Sequence, residues 1–104
     1  MPVTTIGGRR IHVNEEGFLT DPGEWDEELG TALAHQIGIE MTEAHWRPIR
    51  FLRGDFAVQQ TTATLRRVST QAGIPVPELF ELFPGKPAKK MAYVAGLPKP
   101  RGCV

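Results

Sequence analysis

The sequence predicts a mainly α-helical single domain spanning residues 1–104, with a small N-terminal β-hairpin and a projecting C-terminal arm over about 96–104. Three observations carry this. Apolar residues recur at helical spacing through most of the middle of the chain, in blocks separated by Gly, Pro and capping residues. β-Branched positions Ile6, Ile11 and Val13 surround the pair Gly7-Gly8 near the start. The end, Gly96-Leu97-Pro98-Lys99-Pro100-Arg101-Gly102-Cys103-Val104, carries two prolines that push their neighbours toward extended geometry.

The hairpin is expected within residues 4–19, with a second turn at Asn14 to Gly17 and Phe18-Leu19 following it. Asp21-Pro22-Gly23-Glu24 then reads as a helix start: Asp21 caps, Pro22 suits the first helical position and Glu24 closes a capping box. Asp26, Glu27 and Glu28 would sit near the positive end of that helix dipole. Trp25, Leu29, Ala32, Leu33 and Ile37 share its core-facing side, and Gly38 stops it. Thr42 can cap a second helix running to about Gln60, with Trp46, Ile49, Leu52 and Phe56 as its stripe and Arg53 at the border. Pro48 inside that stretch implies a kink or a later start, because proline deletes a helical hydrogen bond. Thr61 or Thr62 would start a third helix over Ala63 to Ala72, and Pro75 or Pro77 a fourth, ended by Pro84. A last helix is expected over Ala88 to Ala95, with Gly96 as its C-terminal cap and Leu97 packing beyond it.

The chain has 104 residues, enough for a modest core without disulfides or metals. No apolar run approaches a membrane span, and Met1 to Arg10 holds no secretory h-region. A single cysteine excludes an internal disulfide and fits a reducing cytoplasm, while leaving open a bond to another chain. Net charge is zero but lopsided. Residues 1–44 set two arginines against nine acids, and residues 45–104 set ten basic side chains against three acids. All four lysines (Lys86, Lys89, Lys90 and Lys99) lie in the last nineteen residues, which hold no acid. Such a basic end attracts an acidic partner or an anionic substrate; it is equally consistent with a solvated terminus.

Cys103 is the one residue whose chemistry stands out. A thiol on a chain end is placed to react rather than to pack, with Pro98 and Pro100 stiffening the arm and Gly102 giving a pivot. Lys99 and Arg101 favour its thiolate, while the Val104 carboxylate opposes them. A Cys-His hydrolase needs a nucleophile on a rigid frame, which a penultimate residue does not offer. His12, His35 and His45 fall in different elements, so no metal site is expected; each reads best as a surface or helix-end residue. A mobile thiol suits a carrier of sulfur, by displacement on a persulfide. A helix-turn-helix from the second and third helices, with Arg47, Arg50, Arg66 and Arg67 on phosphates, is the competing reading; its signals are weak and direct DNA binding is not favoured.

Taken in order, Glu16-Gly17-Phe18-Leu19, Trp25, His45-Trp46, Ile49-Arg50-Phe51-Leu52-Arg53, Leu65-Arg66-Arg67, Leu82-Phe83-Pro84, Pro87-Ala88-Lys89 and Ala95-Gly96-Leu97-Pro98-Lys99-Pro100 with Gly102-Cys103-Val104 resemble the DsrC/TusE family of sulfur carriers over nearly the whole chain. The resemblance implies an orthogonal helical bundle with an N-terminal hairpin. It also implies that Cys103 accepts and hands on persulfide sulfur, acting as a sulfurtransferase-type carrier without a cofactor. In DsrC proper a second cysteine lies eleven positions upstream; here that position is Ala92. The chain therefore looks like the single-cysteine TusE-type branch, which relays sulfur toward tRNA 2-thiouridine, or like a DsrC-like relay in sulfur metabolism. The implied donors are a TusBCD-like complex, a rhodanese or a TusA-like protein. The implied acceptors are a tRNA thiouridylase or a sulfite reductase-type enzyme, in the cytoplasm. Gly96, Leu97, Pro98, Lys99, Pro100, Arg101 and Gly102 are the expected arm and partner-docking residues. Two departures from the family pattern are Pro48 and the lysine in Gly85-Lys86-Pro87, where the family has glycine directly before the proline.

Overall fold

The fold is that of a computed structural model, which describes residues 3–100. Strands β1 (Val3–Ile6) and β2 (Arg9–His12) form an antiparallel hairpin with Ile6 opposite Arg9. The turn between them is Gly7-Gly8, both at positive φ, as a two-residue hairpin turn requires. A bridge between Val13 and Leu19 extends the pairing past the second turn, where the Asn14 side chain accepts from the Glu16 and Phe18 amides.

The first helix begins later than its sequence suggests. Asp21 caps only one 3₁₀ turn, Pro22–Glu24, and Trp25 is extended. Asp26 then recaps the chain by accepting from the Leu29 amide, and α1 runs Glu27–Gln36. The physical reason lies in Glu24. Its carboxylate accepts from the His12 amide and contacts His12 Nδ1 at 2.7 Å, tying the turn to the hairpin instead of closing a capping box. Those bonds, the His12 amide first, hold its pKa below the usual carboxylate range.

Helix α2 (Glu43–Gln59) runs continuously through Pro48. Its N-terminal capping box uses histidine. The Thr42 amide donates to His45 Nδ1 at 3.1 Å, which leaves Nε2 as the donor to the Leu82 carbonyl, also at 3.1 Å. Helix α3 (Leu65–Ala72) starts at Thr64, whose hydroxyl accepts from the Arg67 amide, two residues later than expected. Helix α4 (Val76–Leu82) follows Pro75, and α5 (Pro87–Val94) begins at a proline. Among the described residues no helix is long and apolar enough to cross a membrane.

The core has two parts. The larger is built from Ile49, Leu52, Val68, Ile74, Leu79, Phe83, Met91, Val94 and Leu97 with their neighbours; the smaller packs Ile6, Ile11, Val13 and Leu19 against Leu29 and Leu33 of α1. Trp25 and Tyr93 touch both. The architecture is the mainly helical bundle with an N-terminal hairpin that the sequence predicts.

Candidate functional site

The C-terminal segment leaves the body through a Schellman motif at the end of α5. Gly96 adopts φ +69°, its amide donates to the Tyr93 carbonyl and the Leu97 amide donates to the Ala92 carbonyl. Leu97 is buried beneath the turn. The carbonyls left without a helical partner at this end are taken by two side chains from elsewhere. The Trp25 indole N–H donates to the Val94 carbonyl at 2.8 Å. Arg53 donates to the Ala95 carbonyl at 3.1 Å and to the Pro22 carbonyl at 3.0 Å, with its guanidinium 4.4 Å from the Trp25 ring centre. A cation at a helix C-terminus is favoured by the helix dipole. Partial burial lowers the Arg53 pKa by desolvation, from a value high enough that the side chain stays charged.

Beyond Gly96 the chain remains attached. The Thr62 hydroxyl, on a buried residue, donates to the Pro98 carbonyl at 2.7 Å. Lys99 Nζ lies 3.1 Å from a Glu16 carboxylate oxygen, and Pro100 is buried. The stretch expected to be an arm from residue 96 is thus held against the body through Pro100. Arg101, Gly102, Cys103 and Val104 lie outside the described residues.

Beside Glu16 a groove of about 510 Å³ opens, lined by Gly17, Phe18, Ile37 and Tyr93, with Lys86, Lys89 and Lys90 along its other rim. Burial raises the Tyr93 pKa. Among the described residues no histidine, cysteine, aspartate and glutamate group is arranged to hold a metal. Of the four arginines offered for phosphate contact, Arg50 is paired with Glu27 and Glu43, and Arg67 with Asp55. Half of that set is already committed to carboxylates.

Several of these residues carry no functional signal in the sequence. Thr62 reads there only as a possible helix cap, and Trp25 and Arg53 as stripe and border positions within the segments that carry the family resemblance. The lysine groove has one visible sign, the acid-free run of lysines near the chain end.

A protein-family model described as "DsrC like protein" matches residues 5–104. This chain belongs to the DsrC-like family. The family match covers Cys103 and the whole C-terminal segment. Sulfurtransferase TusE of Pectobacterium atrosepticum is 36% identical, covering 93% of this chain and 95% of the relative. Sulfurtransferase TusE of Photorhabdus laumondii is 34% identical over the full length of both. Among solved structures, oxidized DsrC, the γ-subunit of dissimilatory sulfite reductase from Archaeoglobus fulgidus, is 38% identical with a TM-score of 0.81, covering 99% of this chain and 100% of that one. Allochromatium vinosum DsrC is 34% identical with a TM-score of 0.85, covering 98% and 97%. These family names belong to sulfur relay and sulfur metabolism, and the matched folds are the hairpin-plus-helices architecture described above.

Proposed function

We propose that this protein is a sulfur carrier that works through Cys103. The observation that carries the reading is a solitary, penultimate cysteine behind Ala95-Gly96-Leu97-Pro98-Lys99-Pro100, in a chain matched over 93% to 100% of its length by sulfurtransferases of the TusE type. The Cys103 thiolate attacks the outer sulfur of a donor persulfide. The donor's S–S bond breaks, the donor leaves as a thiolate, and Cys103 becomes the persulfide. A second displacement hands that sulfur to an acceptor and regenerates the thiol. The relay moves one sulfur atom with no net oxidation, so neither metal nor cofactor enters it.

The donor fits a TusBCD-like complex, a rhodanese or a TusA-like protein, and the acceptor a tRNA thiouridylase, in the cytoplasm. A second reading has the acceptor as a sulfite reductase-type enzyme, because the structural neighbours include a γ-subunit of dissimilatory sulfite reductase. Ala92 weighs against the full reductive cycle. It is fully buried in α5 where DsrC has its second cysteine, so Cys103 has no internal thiol to join. Incubation with polysulfide tests the carrier reading: intact-protein mass spectrometry should show sulfur additions on the wild type and none on Cys103→Ser. Equal labelling of both ends it. Co-purification with a sulfite reductase rather than with a thiouridylase decides between the acceptors.

A further inference from the structure

We propose that the groove between Glu16 and the Lys86, Lys89 and Lys90 rim is a docking site for an acidic, leucine-bearing segment of the protein that exchanges sulfur with Cys103. The inference rests on the carrier reading for the identity of the partner, and on the groove itself for its chemistry.

Two observations converge on this surface. The first is charge. Lys86, Lys89 and Lys90 project from the start of α5 onto one rim, and among the described residues none is paired with a carboxylate. Lys89 and Lys90 are half-buried and Lys86 is exposed, and all three line the groove. The floor is apolar, formed by Phe18, Ile37 and Tyr93. An occupant that satisfies both must present aliphatic side chains to the floor and carboxylates to the rim. A nucleic acid would satisfy the rim and leave the floor uncovered, so a protein segment is favoured.

The second observation is reach. The chain is anchored at Pro98 by Thr62 and at Lys99 by Glu16, and Glu16 itself lines the groove. From Pro100 to Cys103 there are three residues, which span at most about 11 Å when fully extended. A partner that meets the Cys103 sulfur must therefore come close to the body surface around Pro98 to Pro100. The groove adjoins that surface through Glu16, so the partner's contact area falls on it.

The test uses ¹⁵N-labelled full-length protein titrated with an acetylated hexapeptide of two central leucines flanked by glutamates and aspartates. Amide shifts should concentrate at Gly17, Phe18, Ile37, Lys86, Lys89, Lys90 and Tyr93, and should fade as salt is raised. The triple variant Lys86→Gln/Lys89→Gln/Lys90→Gln, checked for native circular dichroism, should bind about tenfold more weakly, the factor expected from three rim ion pairs. Cys103→Ser should bind as the wild type does, so this outcome stands apart from the polysulfide test of the carrier reading. The proposal is overturned if the peptide produces no shifts at the groove, if the glutamine-asparagine version of the peptide binds equally well, or if a uridine decanucleotide shifts the same amides at lower concentration than the peptide does.

Discussion

Replacing Gly96 with alanine puts a methyl group into the junction that holds the C-terminal segment. The backbone there has φ +69°, a region that costs an L-residue about 1–2 kcal/mol. The new Cβ would lie 2.4 Å from Trp25 Cδ1 and 2.9 Å from Cγ. The indole is held on several sides. It packs so closely on Gly30 that a Cβ there would stand 2.9 Å from Trp25 Cζ2, its N–H is bonded to Val94, and the Arg53 guanidinium covers its face. Forcing the methyl in costs about 1–3 kcal/mol as overpacking. Losing the indole hydrogen bond as the ring shifts adds about 1 kcal/mol. The expected loss is therefore about 3–6 kcal/mol, a large share of the roughly 5–15 kcal/mol that stabilises a domain. Urea unfolding followed by far-UV circular dichroism measures it, with the slope checked for constancy. Gly73→Ala is the internal control: its φ is +71°, and no atom lies within 4 Å of the place its methyl would take, so it bears the backbone cost alone. In a Trp25→Ala background, which removes the ring and leaves only the Trp25 Cβ position 3.0 Å from the new methyl, Gly96→Ala should cost less than it does in the wild type. A difference between the two glycine variants below about 1 kcal/mol would refute the steric reasoning, because overpacking has to add at least that much.

Asp55→Asn should cost about 1.5–3 kcal/mol, because the Asp55 side chain is 7% exposed and receives three contacts from Arg67, the shortest 2.7 Å; chemical denaturation reads this. Thr62→Val should cost about 1–2 kcal/mol by leaving the Pro98 carbonyl without its donor, whereas Glu16→Gln, which breaks only an exposed ion pair, should stay within about 0.5 kcal/mol of wild type. Stability should fall on acidification. Glu24, Asp26 and Glu27 have folded pKa values depressed by hydrogen bonds from, respectively, His12, the Leu29 amide and Arg50, so their contribution is complete above the ordinary values of 4.5 for Glu and 3.8 for Asp and is lost as pH drops through the lower folded values. A urea midpoint that does not move between pH 6 and about pH 3 would contradict that linkage.

Local signals that act within one turn of chain are legible in the sequence. Gly96 as a helix stop with Leu97 packing beyond it, Thr42 as a cap and Gly7-Gly8 as a hairpin turn all depend on neighbours a few residues away, and the structure has each of them. The start of α1 escapes such a reading because Glu24 could close a capping box locally but is drawn to His12 across the chain. A partner twelve residues away leaves no trace in the local pattern. The same limit hides the attachment of the C-terminal segment. The prolines predict a projecting arm from about residue 96 and permit it to lie docked or free; Thr62 and Glu16, both distant in sequence, hold it at Pro98 and Lys99, while Trp25 and Arg53 bind the Val94 and Ala95 carbonyls just before it. His45 shows the converse: it takes the capping-box place usually given to Glu or Gln, so a search for an acid three residues after Thr42 finds nothing.

Both tryptophans of the chain meet at this one junction, their rings 6.5 Å apart, with Arg53 above Trp25 and Arg50 above Trp46. The intrinsic ultraviolet emission of the protein is therefore a local gauge and not a global average. Sulfur loading or partner engagement that tugs on residues 96–100 would change the polarity and quenching around Trp25 and could be followed in real time, at native concentration, without attaching a dye to the only thiol.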